Sequence, residues 1–386
     1  MTRELVASQM LVAAEKETGL ADWGDALFRE PLDVLLADLN GPARLRPDGF
    51  EKAARRLHDI LCTRLQWVND RKRFPGIAAE EIRRPVFVLG LPRAGTTFFH
   101  NILSHDPANR SPLTWEIMYP SPPPEPATYA SDPRIARAAA AMEFEGFMAP
   151  ELQVIHPFGA LRPEECNFMW EISLLTVNFS AWWNVPNYAK LLGTTDFHAV
   201  YREHRQFLQQ LQHRFRGERW VLKSPAHNLW IEALLEVYPD ALFVQCHRDP
   251  AKIVPSLSKN LVVWRKTFSD EASISEYGQK EMLASGLANL DRVRARPGFA
   301  DRFFDAHYLE VQADPLGVLK RAYAQFGLPL PAANEAAIAG WLAADRSDHA
   351  KGPRHTYALE DYDLDYAQID RVFGDYVARH RVALER

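Results

Sequence analysis

The stretch that most constrains this chain is Val86-Phe-Val-Leu-Gly-Leu-Pro-Arg-Ala-Gly-Thr-Thr-Phe-Phe-His100. An apolar run of strand length ends at Gly90, a turn containing Pro92 and Gly95 follows, and the hydroxyl residues Thr96 and Thr97 open a helical pattern. Strand, tight turn and helix N-terminus in that order make an anion cradle, because backbone N–H groups converge on one spot and the helix dipole adds partial positive charge there. The separation of Gly90 and Gly95 matches the nucleotide-binding pattern G-x-x-x-x-G-K-[ST]. Thr96, however, stands where the Lys belongs, and the cation of the loop is Arg93. The loop therefore suits an anion better than it suits Mg-ATP. A strand-to-helix turn with no ligand is the plainer alternative.

Farther along, Ala241-Leu-Phe-Val-Gln-Cys-His247 reads as a buried strand, followed by Arg248-Asp-Pro-Ala-Lys-Ile-Val-Pro-Ser256. An Arg at a strand end and a Ser on the next helix can converge on a second phosphate, which the guanidinium fork binds through two parallel hydrogen bonds. In open α/β sheets ligands collect beyond the carboxyl ends of the strands, and both stretches end strands. A local Arg248–Asp249 ion pair is the competing reading.

Taken together, these two stretches resemble sulfotransferases that use 3′-phosphoadenosine 5′-phosphosulfate (PAPS), in the bacterial branch related to the tyrosylprotein-type enzymes. The first is similar to the family's 5′-phosphosulfate loop, which implies that Arg93, Ala94, Gly95, Thr96, Thr97 and Phe98 contact the donor. The second is similar to its 3′-phosphate site, implying the same for Arg248 and Ser256. Trp220-Val-Leu-Lys-Ser-Pro-Ala-His227 resembles the family's strand-end Lys-Ser-Pro, and Ala306-His-Tyr-Leu-Glu310 with the helix after it resembles its Tyr-Glu-Asp-Leu segment. The likeness runs from about residue 84 to about residue 375. It implies an α/β fold: a P-loop-type parallel β-sheet flanked by helices, with a helical N-terminal region and a helical insert. It also implies PAPS as donor, PAP as product, and no metal. Lys351-Gly-Pro-Arg354 stands near the position of the family's basic Arg-Lys-Gly loop, in a different order, and would close over the nucleotide through Lys351 and Arg354.

The rest of the chain is consistent with this. With 386 residues, 47% hydrophobic and 25% charged, it can bury a large core. The net charge of −5 offers no broad basic field for nucleic acid. Cys62, Cys166 and Cys246 have neither disulfide nor metal spacing, and buried thiols fit a reducing, cytoplasmic setting. No signal-like segment opens the sequence, and the longest apolar stretch, 172–183, is too short to span a bilayer. Residues 1–82 read as a helical region that packs on the sheet, covers the substrate mouth or dimerises. Residues 83–386 read as the donor-binding domain, with strands near 86–90, 220–223, 241–247 and 302–308 and an acceptor-contacting insert at about 112–218.

Sulfuryl transfer asks for charge stabilisation, a base and a 3′-phosphate anchor. Arg93, Thr96, Thr97 and the strand-end Lys223 are placed for the first. Glu116, among Trp115, Ile117 and Met118, is the favoured base, as the resemblance to the tyrosylprotein-type branch implies, and apolar neighbours help a carboxylate act near neutrality. His227 is the next candidate, and His100 a further one. The insert's aromatics Phe168, Trp170, Trp182 and Trp183 form either a helical core or an apolar acceptor pocket. The adjacency of Trp182 and Trp183 argues against both facing one core stripe, which favours a hydrophobic alcohol, phenol or lipid acceptor. A P-loop small-molecule kinase and a non-catalytic nucleotide-binding protein are the rivals.

Overall fold

The computed structural model describes residues 4–271, 280–349 and 358–386. Its chain divides into two compact units. One runs through Glu81, takes in Pro112–Arg216 and resumes at Leu261. The other comprises Ile82–Ser111, Gly217–Asn260 and the chain beyond Ser273.

The second unit holds a five-stranded parallel sheet: β1 (Val86–Gly90), β2 (Asn109–Arg110), β3 (Arg219–Lys223), β4 (Leu242–His247) and β5 (Phe303–His307), in the order β2-β3-β1-β4-β5. Every residue of β1, β3 and β4 is buried. That is why these runs are apolar almost throughout rather than alternating, as expected for a parallel sheet covered on both faces. Val86 pairs with Val221 on one side and with Leu242 on the other, so β1 is central. The chain leaves β1 toward β2 and β3, then crosses to β4 and β5. The switch of direction falls at the carboxyl end of β1, the place where such sheets bind ligands. The core beside the sheet joins Val86, Val88 and Val244 to Phe99, Ile102, Leu103, Val318 and Phe373.

The first unit is helical. Its helices include α1 (Ala7–Thr18), α2 (Arg29–Leu39) and α3 (Pro47–Arg73), before α4 (Thr96–Ser104) of the sheet unit. α1 stops at Gly19, which takes the left-handed conformation at φ 68°. The 27-residue α3 has Pro47 in its first turn and Arg71, Lys72 and Arg73 in its last. The unit is crossed by buried ion pairs. Arg64 bonds both oxygens of Glu203 and the carbonyls of Trp23, Asp25 and Ile172, and Arg56 bonds Glu171. No helix among the described residues is long and apolar enough to cross a membrane.

Candidate functional site

The loop after β1 is built around a turn from Leu91 to Ala94, whose N–H donates to the Leu91 carbonyl (3.2 Å). Pro92 is at its second position and Arg93, at φ 68°, at its third, a place that normally calls for glycine. Gly95 precedes α4 at φ 91°, and no side chain caps the helix. The first-turn N–H groups of Thr96, Thr97 and Phe98 are therefore presented to the loop. Gly90, at φ 125°, lies so close to β4 that a Cβ there would fall 2.4 Å from the Cys246 carbonyl oxygen. Asn228 grips both sides of the Gly90 backbone, accepting from its N–H (3.3 Å) and donating to its carbonyl (2.8 Å).

Cationic and hydroxyl side chains converge on this loop from three strand ends. Arg93 Nε donates to Ser256 Oγ (3.1 Å) on helix Pro250–Lys266. Lys223, closing β3 and only 1% exposed, donates to Thr97 Oγ1 (3.2 Å). Arg248, just past β4, donates through Nη1 to the Arg93 carbonyl (3.3 Å). Its guanidinium also lies 3.8 Å from the centre of the Tyr308 ring. Tyr308 in turn faces Gly95, where a Cβ would meet the ring at 3.2 Å. Among the described residues, Arg248 and Asp249 bond other partners than each other. Asp249 instead accepts from the N–H groups of Ala251 and Glu385, and Arg248 pairs with Glu385 through Nε (2.9 Å) and Nη2 (3.1 Å).

The histidines beside the loop are buried. His227 meets the Phe87 ring edge-on, with centroids 5.0 Å apart, and His100 Nε2 bonds the Val221 carbonyl (3.2 Å). Lys351 and Arg354 lie outside the described residues.

Glu116 belongs to the helical unit. It is fully buried on α5 (Thr114–Met118), and its Oε2 accepts from the Leu113 N–H (2.9 Å), which ties it to the start of its own helix. In the same unit Phe168, Trp170, Trp182 and Trp183 are all buried. Trp182 packs with Phe168 (5.7 Å) and Trp264 (5.6 Å), Trp183 stacks on Phe179 (5.2 Å), and Trp170 meets Phe197 edge-on (5.6 Å). The adjacency argument for Trp182 and Trp183 does not hold. Helix Val177–Trp182 ends between them, Trp183 is extended (φ −125°, ψ 150°), and both rings turn inward, 5.9 Å apart. Phe168 lines a cavity of about 20 Å³, together with Arg56, Thr63, Ile117, Tyr119 and Glu171, room for a single water.

Residues 85–332 match the model of the sulfotransferase family. The chain belongs to that family. Among similar solved structures are the sulfotransferase STF1 of Mycobacterium tuberculosis H37Rv and STF9 of Mycobacterium avium. The former is 31% identical, with a TM-score of 0.82 covering 97% of this chain and 100% of that one. The latter is 28% identical, with a TM-score of 0.85 covering 100% and 98%. Among curated proteins, omega-hydroxy-beta-dihydromenaquinone-9 sulfotransferase Stf3 of Mycobacterium bovis is 27% identical over 319 residues, 77% of this chain and 74% of that protein. The chain is thus an α/β sulfotransferase, a transferase that takes a sulfuryl donor.

Three residues of this sulfotransferase's loop region escaped the sequence reading. Asn228 lies just past the Lys-Ser-Pro-Ala-His run, and Tyr308 lies inside the Ala306–Glu310 segment, where no role was read for it. Glu385 carried no local signal, since its contact joins positions 137 residues apart.

Proposed function

We propose that this sulfotransferase moves the sulfuryl group of PAPS to a hydroxyl of an apolar, lipid-like acceptor. The observation that carries this reading is the meeting of Arg93, Ser256, Arg248, Lys223 and Thr97 at one loop, at the carboxyl ends of β1, β3 and β4. The donor set fits a ligand with two separate oxyanion groups. The left-handed Arg93 and Gly95 open the loop to the first, and Arg248 with Ser256 supplies the second. When bound, PAPS supplies an activated sulfuryl group whose transfer depends mainly on positioning and charge stabilisation.

In this reading Arg93, Lys223 and the first-turn N–H groups of α4 hold the 5′-side oxyanions and offset the negative charge that grows there. Thr97 orients the Lys223 ammonium. Arg248 and Ser256 hold the 3′-phosphate, which distinguishes PAPS from ATP. Glu116 takes the proton of the acceptor hydroxyl, and its buried setting keeps competing water away. The acceptor class is carried by the Mycobacterium bovis relative, named for a hydroxylated dihydromenaquinone.

Titration with PAP, beside ATP with Mg, tests the donor. PAP binding at micromolar or tighter concentrations without metal, with little ATP binding, is the expected result. Tight Mg-ATP binding with no preference for the 3′-phosphate would favour a P-loop kinase, and binding of neither a non-catalytic protein. Glu116→Gln is expected to lower turnover by about 10²–10⁴-fold with PAP binding intact; unchanged turnover would move the base to His227 or His100.

A further inference from the structure

The guanidinium assigned to the 3′-phosphate already holds an anion. Arg248 presents Nε and Nη2 to the two carboxylate oxygens of Glu385, at 2.9 and 3.1 Å. This is the paired geometry with which Arg grips two oxygens of a phosphate. We propose that Glu385 is a built-in competitor for the nucleotide's 3′-phosphate, displaced when PAPS or PAP seats and returning as PAP leaves. The proposal rests on the reading of Arg248 as the 3′-phosphate anchor.

Holding Arg248 in place does not require the carboxylate. The guanidinium lies over the Tyr308 ring at 3.8 Å, and Nη1 bonds the Arg93 carbonyl at 3.3 Å. These two contacts fix its plane and direction without neutralising its charge. What Glu385 adds is a negative charge where a more highly charged phosphate must go, and like charges at contact distance repel.

The segment after helix Tyr366–His380 is arranged so that the side chain can move while the backbone stays. Glu385 N–H donates to Asp249 Oδ2 (2.8 Å), and Asp249 is fully buried, its other oxygen accepting from Ala251 N–H (2.9 Å). Val382 N–H donates to the Val377 carbonyl (3.0 Å), and Arg386 pairs with Asp370 and lies over Tyr366. The backbone is thus pinned at Val382 and at residue 385 itself, and the Arg386 side chain is held beyond it. The Glu385 side chain itself is 17% exposed, so rotation about its own torsions carries the carboxylate into water. The consequence is a lowered affinity for product, which speeds release, a step that limits turnover in many enzymes.

The test is calorimetric titration and stopped-flow dissociation of PAP on the full-length wild type, Glu385→Gln and Arg248→Ala, with 5′-AMP as the ligand lacking a 3′-phosphate. The glutamine keeps the shape and removes the charge. The expected result is PAP binding roughly tenfold tighter in Glu385→Gln, through slower dissociation, with 5′-AMP affinity unchanged. PAP binding that is unchanged or weaker in Glu385→Gln overturns the proposal and makes the residue a support for Arg248. An equal gain for 5′-AMP overturns it as well, because the effect would not belong to the 3′-phosphate. Arg248→Ala separates the two readings. If it leaves PAP affinity at the wild-type level, the assignment of Arg248 fails, whatever Glu385→Gln does.

Discussion

The helical unit and the sheet unit use the same chemical pair in opposite ways. In the helical unit Arg56 bonds Glu171 (2.9 Å) and Glu145 (3.4 Å), with all three side chains almost wholly buried, and three aromatic rings lie about 6 Å from its guanidinium. In the sheet unit Arg248 bonds Glu385, but both side chains keep about a sixth of their surface in water. Desolvated pairs are costly to form and costlier to break, whereas a partly exposed pair can exchange partners. A buried pair therefore fixes helices, and a partly exposed bidentate one at a strand end is available to a ligand.

Removing each arginine tests that contrast. Arg56→Ala leaves Glu171 and Glu145 in the core without their cation, and is expected to destabilise the fold by about 3–5 kcal/mol, measured by urea unfolding. Arg248→Ala leaves a carboxylate that turns into water. It should change stability by less than about 1 kcal/mol while weakening PAP binding by about 2–5 kcal/mol. Similar stability losses in the two variants would remove the distinction between the pairs.

Protonation sharpens it further. Glu145 is pushed up from 4.5 to about 7, because burial and the neighbouring Glu171 and Asp59 outweigh the pull of Arg56. Between those values the folded protein holds a proton that the unfolded chain has released. The stability from the neutral acid is therefore complete below 4.5 and is lost as pH rises through about 7. In the sheet unit His247 is pushed down from 6.5 to about 4 by burial, against the opposing pull of Asp305. Its contribution is present above 6.5 and is lost as pH falls through about 4. His204, buried in the helical unit, is likewise lowered, to about 3, so the alkaline limb is the one to attribute to Glu145. Glu145→Gln, compared with wild type by urea unfolding at pH 5 and pH 8, is expected to gain relative stability at the higher pH. An equal difference at both would show that Glu145 is ionised in the fold.

The same division governs what could be read in advance. The strand ends at Gly90, Lys223 and His247 were legible because a fully buried strand is an unbroken apolar run, and its end is marked by glycine or charge. The two-residue β2 was not, since Asn109 and Arg110 are held by the neighbouring β3 and not by any pattern of their own. Arg93, Thr97, Lys223, Arg248 and Ser256 were legible as strand-end or helix-start residues, and the structure brings them together. Asn228 and Glu385 were not, because a hydrogen bond spanning 138 or 137 residues leaves no local trace. The tryptophans misled for a related reason: where a short helix stops decides which way the next ring points, and Trp183 lies one residue beyond that stop.

The smallest expected effect on the fold falls at the most revealing position. Arg93 holds φ 68° in a turn position where glycine is at home, and such a conformation costs a non-glycine residue on the order of 1–3 kcal/mol. Arg93→Gly relieves that strain. It also loses the 3.1 Å bond to Ser256, worth about 1 kcal/mol, and adds glycine's backbone freedom to the unfolded chain. These terms nearly cancel, so the unfolding midpoint should move by no more than about 1 kcal/mol in either direction. Turnover should nevertheless collapse, because the loop's own cation is gone. A strained residue is kept where its side chain is needed at a point that an unstrained backbone would not reach. If Arg93→Gly instead turned over at the wild-type rate with an unchanged KM for the donor, the strain would have no catalytic purpose, and Lys223 would carry the positive charge of the loop alone.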